Sequence, residues 1–550
     1  MVKRDKLLGC FLLCAGLSLT AEAGLFDKLQ SDFKNLSVGQ PQERQQQAEV
    51  PARQQPKSEL DKSDKKAFGK VVYSGYSAKF LPVKQLIYDG KLKEAVEFYA
   101  TGGKSDLPTV RGSFKDQIDQ AEATESTDTI DLTDEGLGFL VGLEHGTLLL
   151  DSGKSQDAIV KFEEAQRILD VREEEGTVTE QAKAGFMGVF GTIVGNEELG
   201  RYEGEGFEKV LMLNYHSLGY LLKGDRRAFN VAKKAIDWQQ IEERKFQEQL
   251  VEIEKKLSQE KKDENASEDG ADSATEMLGN ELKRFEDRAN AVASAYVNPF
   301  GWYVNAMILE FESYQDSSRW SNARIAYQKA HDLNPDSAVI KSALTETKKR
   351  SSPNKNKRIV HMLIADGFAP EKKILYNEIP TNFGPVALKL PLYEPVHNPV
   401  DRVEVRDRKG RKLAVFSTIA DVEAITLRHQ KDSEPFNNFR AIVGFIRGIG
   451  QAKLMSQAGV FGMMLNKKLE EQQTPDTRSW MSLPSRIQGV RLHLSKKIKT
   501  LQLVSFDKGG KQLGKTTLKL NGRKQEFVYA RSINGELLVQ RPEKLWLQGG

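Results

Sequence analysis

From about residue 67 to 350 the apolar positions recur every three to four residues, and after Ser351-Ser352-Pro353 they alternate every second residue. The switch predicts a multidomain α + β chain, with a helical domain at 67–350 and a β-rich domain at 354–550. Within the helical part, small and aromatic residues fall at repeated spacings. Ala323, Tyr327, Ala330 and Pro335 stand in SRWSNARIAYQKAHDLNPDS, Gly90, Ala95 and Tyr99 in an earlier unit, and Gly146, Gly153, Ala158, Phe162 and Ala165 in another. A less regular unit carries Gly219, Gly224, Ala228, Ala232 and Ala235.

These spacings are those of tetratricopeptide helix pairs, in which a small residue sits where two helices cross, an aromatic follows, and a proline stops the second helix. The units do not follow one another at the usual period of about 34 residues. A Gly-rich insertion at 179–205, a charged helix at 239–262 and a charged loop at about 258–275 separate them. An irregular, elaborated domain is expected rather than a regular superhelix. Tyr88, Tyr99, Phe162, Tyr215 and Tyr327 are expected in its core.

Beyond residue 354, strands are predicted at Arg358–Ala365, Gly384–Leu392, Val400–Arg406, Gly489–Leu494, Thr500–Phe506, Lys515–Leu520 and Glu526–Arg531. Asp407-Arg408-Lys409-Gly410 and Asp507-Lys508-Gly509-Gly510 read as turns between them. The pattern suggests a small antiparallel sandwich, interrupted by a helical insertion at about 419–473.

The N-terminus adds an address. MVKRDK is basic, LLGCFLLCAGLSL is apolar, and Ala21-Glu22-Ala23 presents small residues where signal peptidase cuts, so residues 1–23 read as a signal peptide. Residues 24–66 are rich in Gln, Pro and charge and read as a disordered linker. The expected location is the periplasm, with outer-membrane association the alternative. Both cysteines, Cys10 and Cys14, lie in the signal, which excludes disulfides and thiolate chemistry from the processed chain. Charge is divided unevenly. Residues 354–550 carry 34 Lys+Arg against 18 Asp+Glu, a surplus of 16 in a chain whose net charge is +4, so the remainder is net acidic by 12. Opposite fields predict docking of the two parts on each other or attraction of an anionic partner.

Candidate chemistry is sparse. Ile442–Leu465 is a long apolar, Gly-rich run whose charges are Arg447 and Lys453. It reads either as an amphipathic helix pair touching a membrane or partner, or as helices packed on the β-rich domain, and the second is favoured. Asp476, Arg478 and Trp480 in PDTRSW suit an anionic or sugar ligand by bidentate and stacking contacts, or a structural corner with Asp476 paired to Arg478, which is the preferred reading. The aromatics of Asn298-Pro299-Phe300-Gly301-Trp302-Tyr303 are expected in the core. The histidines show no zinc-protease spacing, and no G-x-S-x-G, Walker or dinucleotide motif occurs. No catalytic residue, metal or cofactor is nominated. Nucleic acid is not an expected partner, because aromatics are not interleaved with the basic residues.

Several blocks, GLGFLVGLEHGTLLLDSGKSQDAIVKFEEA, YEGEGFEKVLMLNYHSLGYLLKGD, YVNPFGWYVNAMILE, IADGFAPEK and PDTRSWMSLP, give the chain a resemblance. Over roughly residues 67–500 it resembles an uncharacterised family of exported, tetratricopeptide-like proteins of Gram-negative bacteria. The resemblance implies a lipoprotein habit and a gene neighbour that activates a penicillin-binding protein at the outer membrane. The lipoprotein habit departs here, since no usable lipobox precedes either cysteine. Together these readings predict a non-enzymatic scaffold for envelope proteins, among them peptidoglycan-synthesis or outer-membrane components. The alternative is an anionic membrane- or wall-binding module acting through the basic domain, in peripheral contact with the membrane.

Overall fold

Helices fill the N-terminal half and three sheets the C-terminal part of the structure, a computed structural model that describes residues 70–72, 80–103, 137–178, 201–260, 283–381, 384–433 and 475–547. All of them fall within one compact unit, Lys66–Gly550. The signal and linker readings at 1–66, most of the Gly-rich insertion and charged loop, and Ile442–Leu465 with Arg447 lie outside the described residues.

The helices come as antiparallel neighbours. Short α1 (Leu81–Tyr88) and α2 (Leu92–Ala100) are followed by α3 (Gly138–Asp151) with α4 (Ser155–Val178), and by α5 (Gly206–Lys223) with α6 (Arg227–Glu260). After the single turn α7 (Glu286–Ala289) come α8 (Phe300–Ser313), α9 (Arg319–Leu333) and α10 (Ala338–Lys349). The small residues act where helices approach. A Cβ on Gly146 would stand 2.8 Å from the Phe162 ring, so glycine lets α3 and α4 close on that side chain. Ala158, Phe162, Ala165, Tyr215, Ala323, Tyr327 and Ala330 are all fully buried. The α5–α6 turn is made by Gly224, at φ +75°, with the Lys544 carbonyl packed against it.

Three sheets follow. A five-stranded sheet has the order β12 (Glu536–Gln540), β11 (Gln525–Ile533), β2 (Arg358–Asp366), β8 (Arg486–Leu494), β7 (Ser417–Asp421). A four-stranded sheet runs β10 (Gln512–Lys519), β9 (Thr500–Phe506), β5 (Arg402–Asp407), β6 (Lys412–Val415). The third joins β1 (Lys70–Val72) to the hairpin β3 (Glu371–Thr381) and β4 (Gly384–Glu394).

Neighbouring strands are antiparallel except β2 and β11, which run parallel with Gln525 opposite Ile359. The antiparallel sheets expected from the sequence are present, with that one parallel pair as an exception. Alternation within a strand records which faces are buried, not which distant strand lies beside it. The stretch expected to be a helical insertion from 419 begins as β7, and α11 (Val422–Asp432) follows directly.

The central strands are buried on both faces. Along β2, Ile359, Leu363 and Ala365 enter the large cluster that also holds the helices, whereas Val360, Met362 and Ile364 enter a second cluster with Val403, Val405, Leu501 and Leu503 of the four-stranded sheet. The five-stranded sheet is thus the middle layer, and the helical and β-rich parts share the larger core.

Candidate functional site

The helix-facing side of the middle sheet is not uniformly apolar. His361 on β2 stands opposite Arg491 on β8, and His493 opposite Ile359, so strand alternation sends these three side chains toward the helices. There they meet Glu310 of α8 and Glu346 of α10. Arg491 holds Glu310 as a fork, Nη2 to Oε1 at 2.5 Å and Nε to Oε2 at 2.9 Å, and reaches Glu346 Oε2 through Nη1 at 2.7 Å. The Tyr327 hydroxyl donates to Glu310 Oε2 at 2.6 Å, and His361 Nε2 lies 3.1 Å from the same oxygen.

Burial alone would raise the Glu310 carboxyl, but Arg491 and His361 outweigh it and hold it well below the usual range. Burial lowers the His361 pKa. A carboxylate can only accept, so Nε2 carries the hydrogen of the contact with Glu310, and Nδ1 lies 3.1 Å from the Tyr303 hydroxyl. Glu346 is likewise raised by burial and brought down to about 2 by His493 and Arg491.

A second polar node fixes the PDTRSW corner. Glu208 of α5 accepts from the Trp480 amide at 2.9 Å, and Glu144 of α3 accepts from the Met481 amide at 2.5 Å and the Ser482 amide at 3.0 Å. Two helices thus capture three consecutive backbone N–H groups. Burial nevertheless pushes the Glu144 carboxyl up to about 7, and burial with the nearby Glu205 charge raises Glu208. Glu205 itself accepts from Lys372 at 2.7 Å and lies 3.0 Å from His429 Nε2, while His429 Nδ1 lies 3.1 Å from the Tyr296 hydroxyl. At a third node, Arg531 lies 3.0 Å from Asp151, which also accepts from Tyr529 at 2.7 Å.

Of the residues singled out from sequence, Arg478 forks onto Asp476 with both bonds at 2.9 Å, and its guanidinium lies over the Tyr202 ring at 5.4 Å. Trp480 is 2% exposed and bonds Ser482 Oγ through its indole N–H. The structure therefore pairs Asp476 with Arg478 and buries Trp480 separately, its ring against Tyr215 and its amide on Glu208. Arg447 lies outside the described residues.

Charge is presented differently on α10. One face of this helix, the 350–357 loop and His493 of β8 enclose an open cleft of about 830 Å³. Lys341, Lys349, Arg350 and Lys357 line it and are exposed, and none forms an ion pair among the described residues. Its acid, Glu346, is already held by Arg491 and His493. From 337 to 357 the chain contains six basic residues and one acidic one. These cations were not nominated from sequence, although the acid-poor run TKKRSSPNKNKR was available as a signal.

Among the described residues no group of three or more His, Asp or Glu is placed as metal ligands would be, and no helix is long and apolar enough to cross a membrane. No protein-family model, curated protein or solved structure matches the chain.

Proposed function

We propose that this protein is a non-enzymatic interaction scaffold of the bacterial cell envelope, exported to the periplasm. In this reading the helix pairs are irregular tetratricopeptide-like units, and the two larger sheets form a sandwich-like body beneath them. The observation that carries the proposal is the division of labour among ionisable side chains. Glu144, Asp151, Glu205, Glu208 and Glu310 are spent on contacts that tie the helices to the sheets and to the 480–482 corner, whereas the cations around α10 face solvent with no ion-pair partner among the described residues. Groups locked in such contacts build a rigid platform, and unpaired surface charge in a concavity suits recognition.

Crosslinking in living cells, followed by purification of the protein and mass spectrometry, tests this. Reproducible enrichment of a wall synthase, its activator or another envelope complex is the expected result. Recovery of the protein alone, or with lipid or glycan attached, overturns it. The basic surplus of residues 354–550 favours one rival, a module that rests on anionic lipid or wall polymer. Liposome flotation with anionic lipid, reversed by added salt, would replace the scaffold with that rival.

A further inference from the structure

The geometry points to the α10 cleft as the seat of an extended acidic segment of a partner protein; this rests on the scaffold reading and gives it a location. Lys341, Thr345 and Lys349 follow one another at i, i+4 and i+8, so they form one stripe along α10. At 1.5 Å per residue the two lysines are separated by about 12 Å along the helix. An extended strand advances about 3.3 Å per residue, so carboxylates four residues apart on one face, about 13 Å, match that separation. Arg350, which caps α10, and Lys357 of the loop that follows also line the cleft and add two further cations.

The positive field continues past the cleft. Arg358, next to Lys357, donates to the Ser495 and Ile498 carbonyls, which fixes the turn bearing the exposed Lys496, Lys497 and Lys499 beside the cleft rim. Glu526, which shares Arg358 with that turn, is buried on Arg358 and on the Asn521 and Gly522 amides, so it does not neutralise the lysines. A concave site lined by cations of the helix and of the loop that follows it is matched to a chain that enters it. A flat bilayer surface would touch only the rim.

The test is anisotropy of a fluorescein-labelled eight-residue peptide with Glu at alternate positions, titrated with the full-length chain in about 0.1 M salt. K341E/K349E should weaken its binding by at least about tenfold, as expected for two attractive charges made repulsive at an exposed site. K341Q/K349Q should give a smaller loss and guards against an effect of reversed charge on folding, and circular dichroism checks both. The control is K508E/K511E, the same change of charge at the β9–β10 turn. That turn lies at the other end of β9, about 20 Å away at 3.3 Å per residue and beyond the screening length of about 10 Å at 0.1 M salt. It should alter binding less than about threefold.

Equal losses from the two reversals would reduce the effect to overall charge and overturn the assignment. So would preferential binding of phosphatidylglycerol vesicles or pyrophosphate that is lost in K341E/K349E, because the site would then belong to a phosphate ligand. If K341E/K349E still crosslinks the same envelope proteins as the wild type, the cleft assignment falls and the scaffold reading stands.

Discussion

Replacing Glu310 by Gln isolates the polar node between α8 and β8. The carboxylate accepts a two-bond fork from Arg491 and single bonds from Tyr327 and His361, and no part of it reaches solvent. In E310Q the charge is gone, and an amide NH₂ is turned toward groups that themselves donate. Arg491, whose side chain is 2% exposed, keeps Glu346 as its one ion-pair partner among the described residues. Removing one member of a buried pair costs about 3–5 kcal/mol. At 1.4 kcal/mol per decade this raises the unfolding constant by roughly 100- to 4000-fold. Urea titrations followed by circular dichroism and tryptophan fluorescence measure it.

The double variant E310L/R491M removes both charges together and should recover most of the loss, because no buried ion is left alone. The sign of the pH dependence follows from the depressed carboxyl. Its contribution is fully present above the unfolded value of 4.5 and is lost as the pH falls below it, so E310Q should show a shallower acid limb than the wild type. An E310Q loss below about 1 kcal/mol, the scale of an exposed pair, would refute the reasoning. So would a double variant less stable than E310Q itself.

Three further outcomes are expected. The Glu144 carboxyl, raised to about 7 from 4.5, disfavours the fold progressively as pH rises between those values; E144Q should therefore gain on the wild type across that window by up to about 3 kcal/mol, read as the difference between their urea midpoints at pH 4.5 and pH 8. Gly224 and Gly90 have nearly equal φ, +75° and +73°, but a Cβ at 224 would lie 1.7 Å from the Lys544 carbonyl oxygen and one at 90 would meet nothing. G90A should cost about 1 kcal/mol and G224A about 3 kcal/mol or more, and equal costs in parallel urea titrations would show that the Lys544 segment yields freely. F162A should cost about 3–5 kcal/mol in the same titration, since the ring is fully buried against Gly146 and its removal leaves a cavity.

The helical half was largely legible in the sequence because helix crossings leave a local signature. Gly146 with Phe162, and Ala323 with Tyr327 and Ala330, mark close approach within a short stretch, and each is buried as its spacing implies. The Asp407 and Asp507 turns were equally local, with each aspartate accepting backbone N–H groups of its own turn. The strands β3 and β7 were less visible. β3 reads EKKILYNEIPT with charge at its start and a proline near its end, and β7 is five residues long and abuts a helix, so neither displays a clean alternation. The parallel pairing of β2 with β11 joins segments more than 160 residues apart and has no local signature. The polar nodes were hidden for the same reason. Glu144, Glu310, Arg491 and Arg531 look like ordinary charges in a chain that is 29% charged, and only the fold brings them together.

Those nodes also answer a question the apolar pattern leaves open. β2 is apolar on both faces, Ile359, Leu363 and Ala365 toward the helices and Val360, Met362 and Ile364 toward the other sheet. A slip of one residue exchanges the two faces. It would leave apolar groups in both cores, so hydrophobicity alone specifies the register of this strand weakly. His361 breaks the symmetry. In the observed register it is opposite Arg491 and meets Glu310 and Tyr303; shifted by one, its ring would enter the apolar cluster of Val403, Leu501 and Leu503, and Glu310 would lose a donor. Stranding a polar group in that way costs about 1–3 kcal/mol per group, more for a charge, which is enough to select one pairing over another. H361L therefore separates two roles of this residue. A fold held only by apolar burial would tolerate the exchange, whereas a register fixed by the node predicts loss of the sharp unfolding transition and weakened amide protection along β2 and β8, measured by hydrogen exchange.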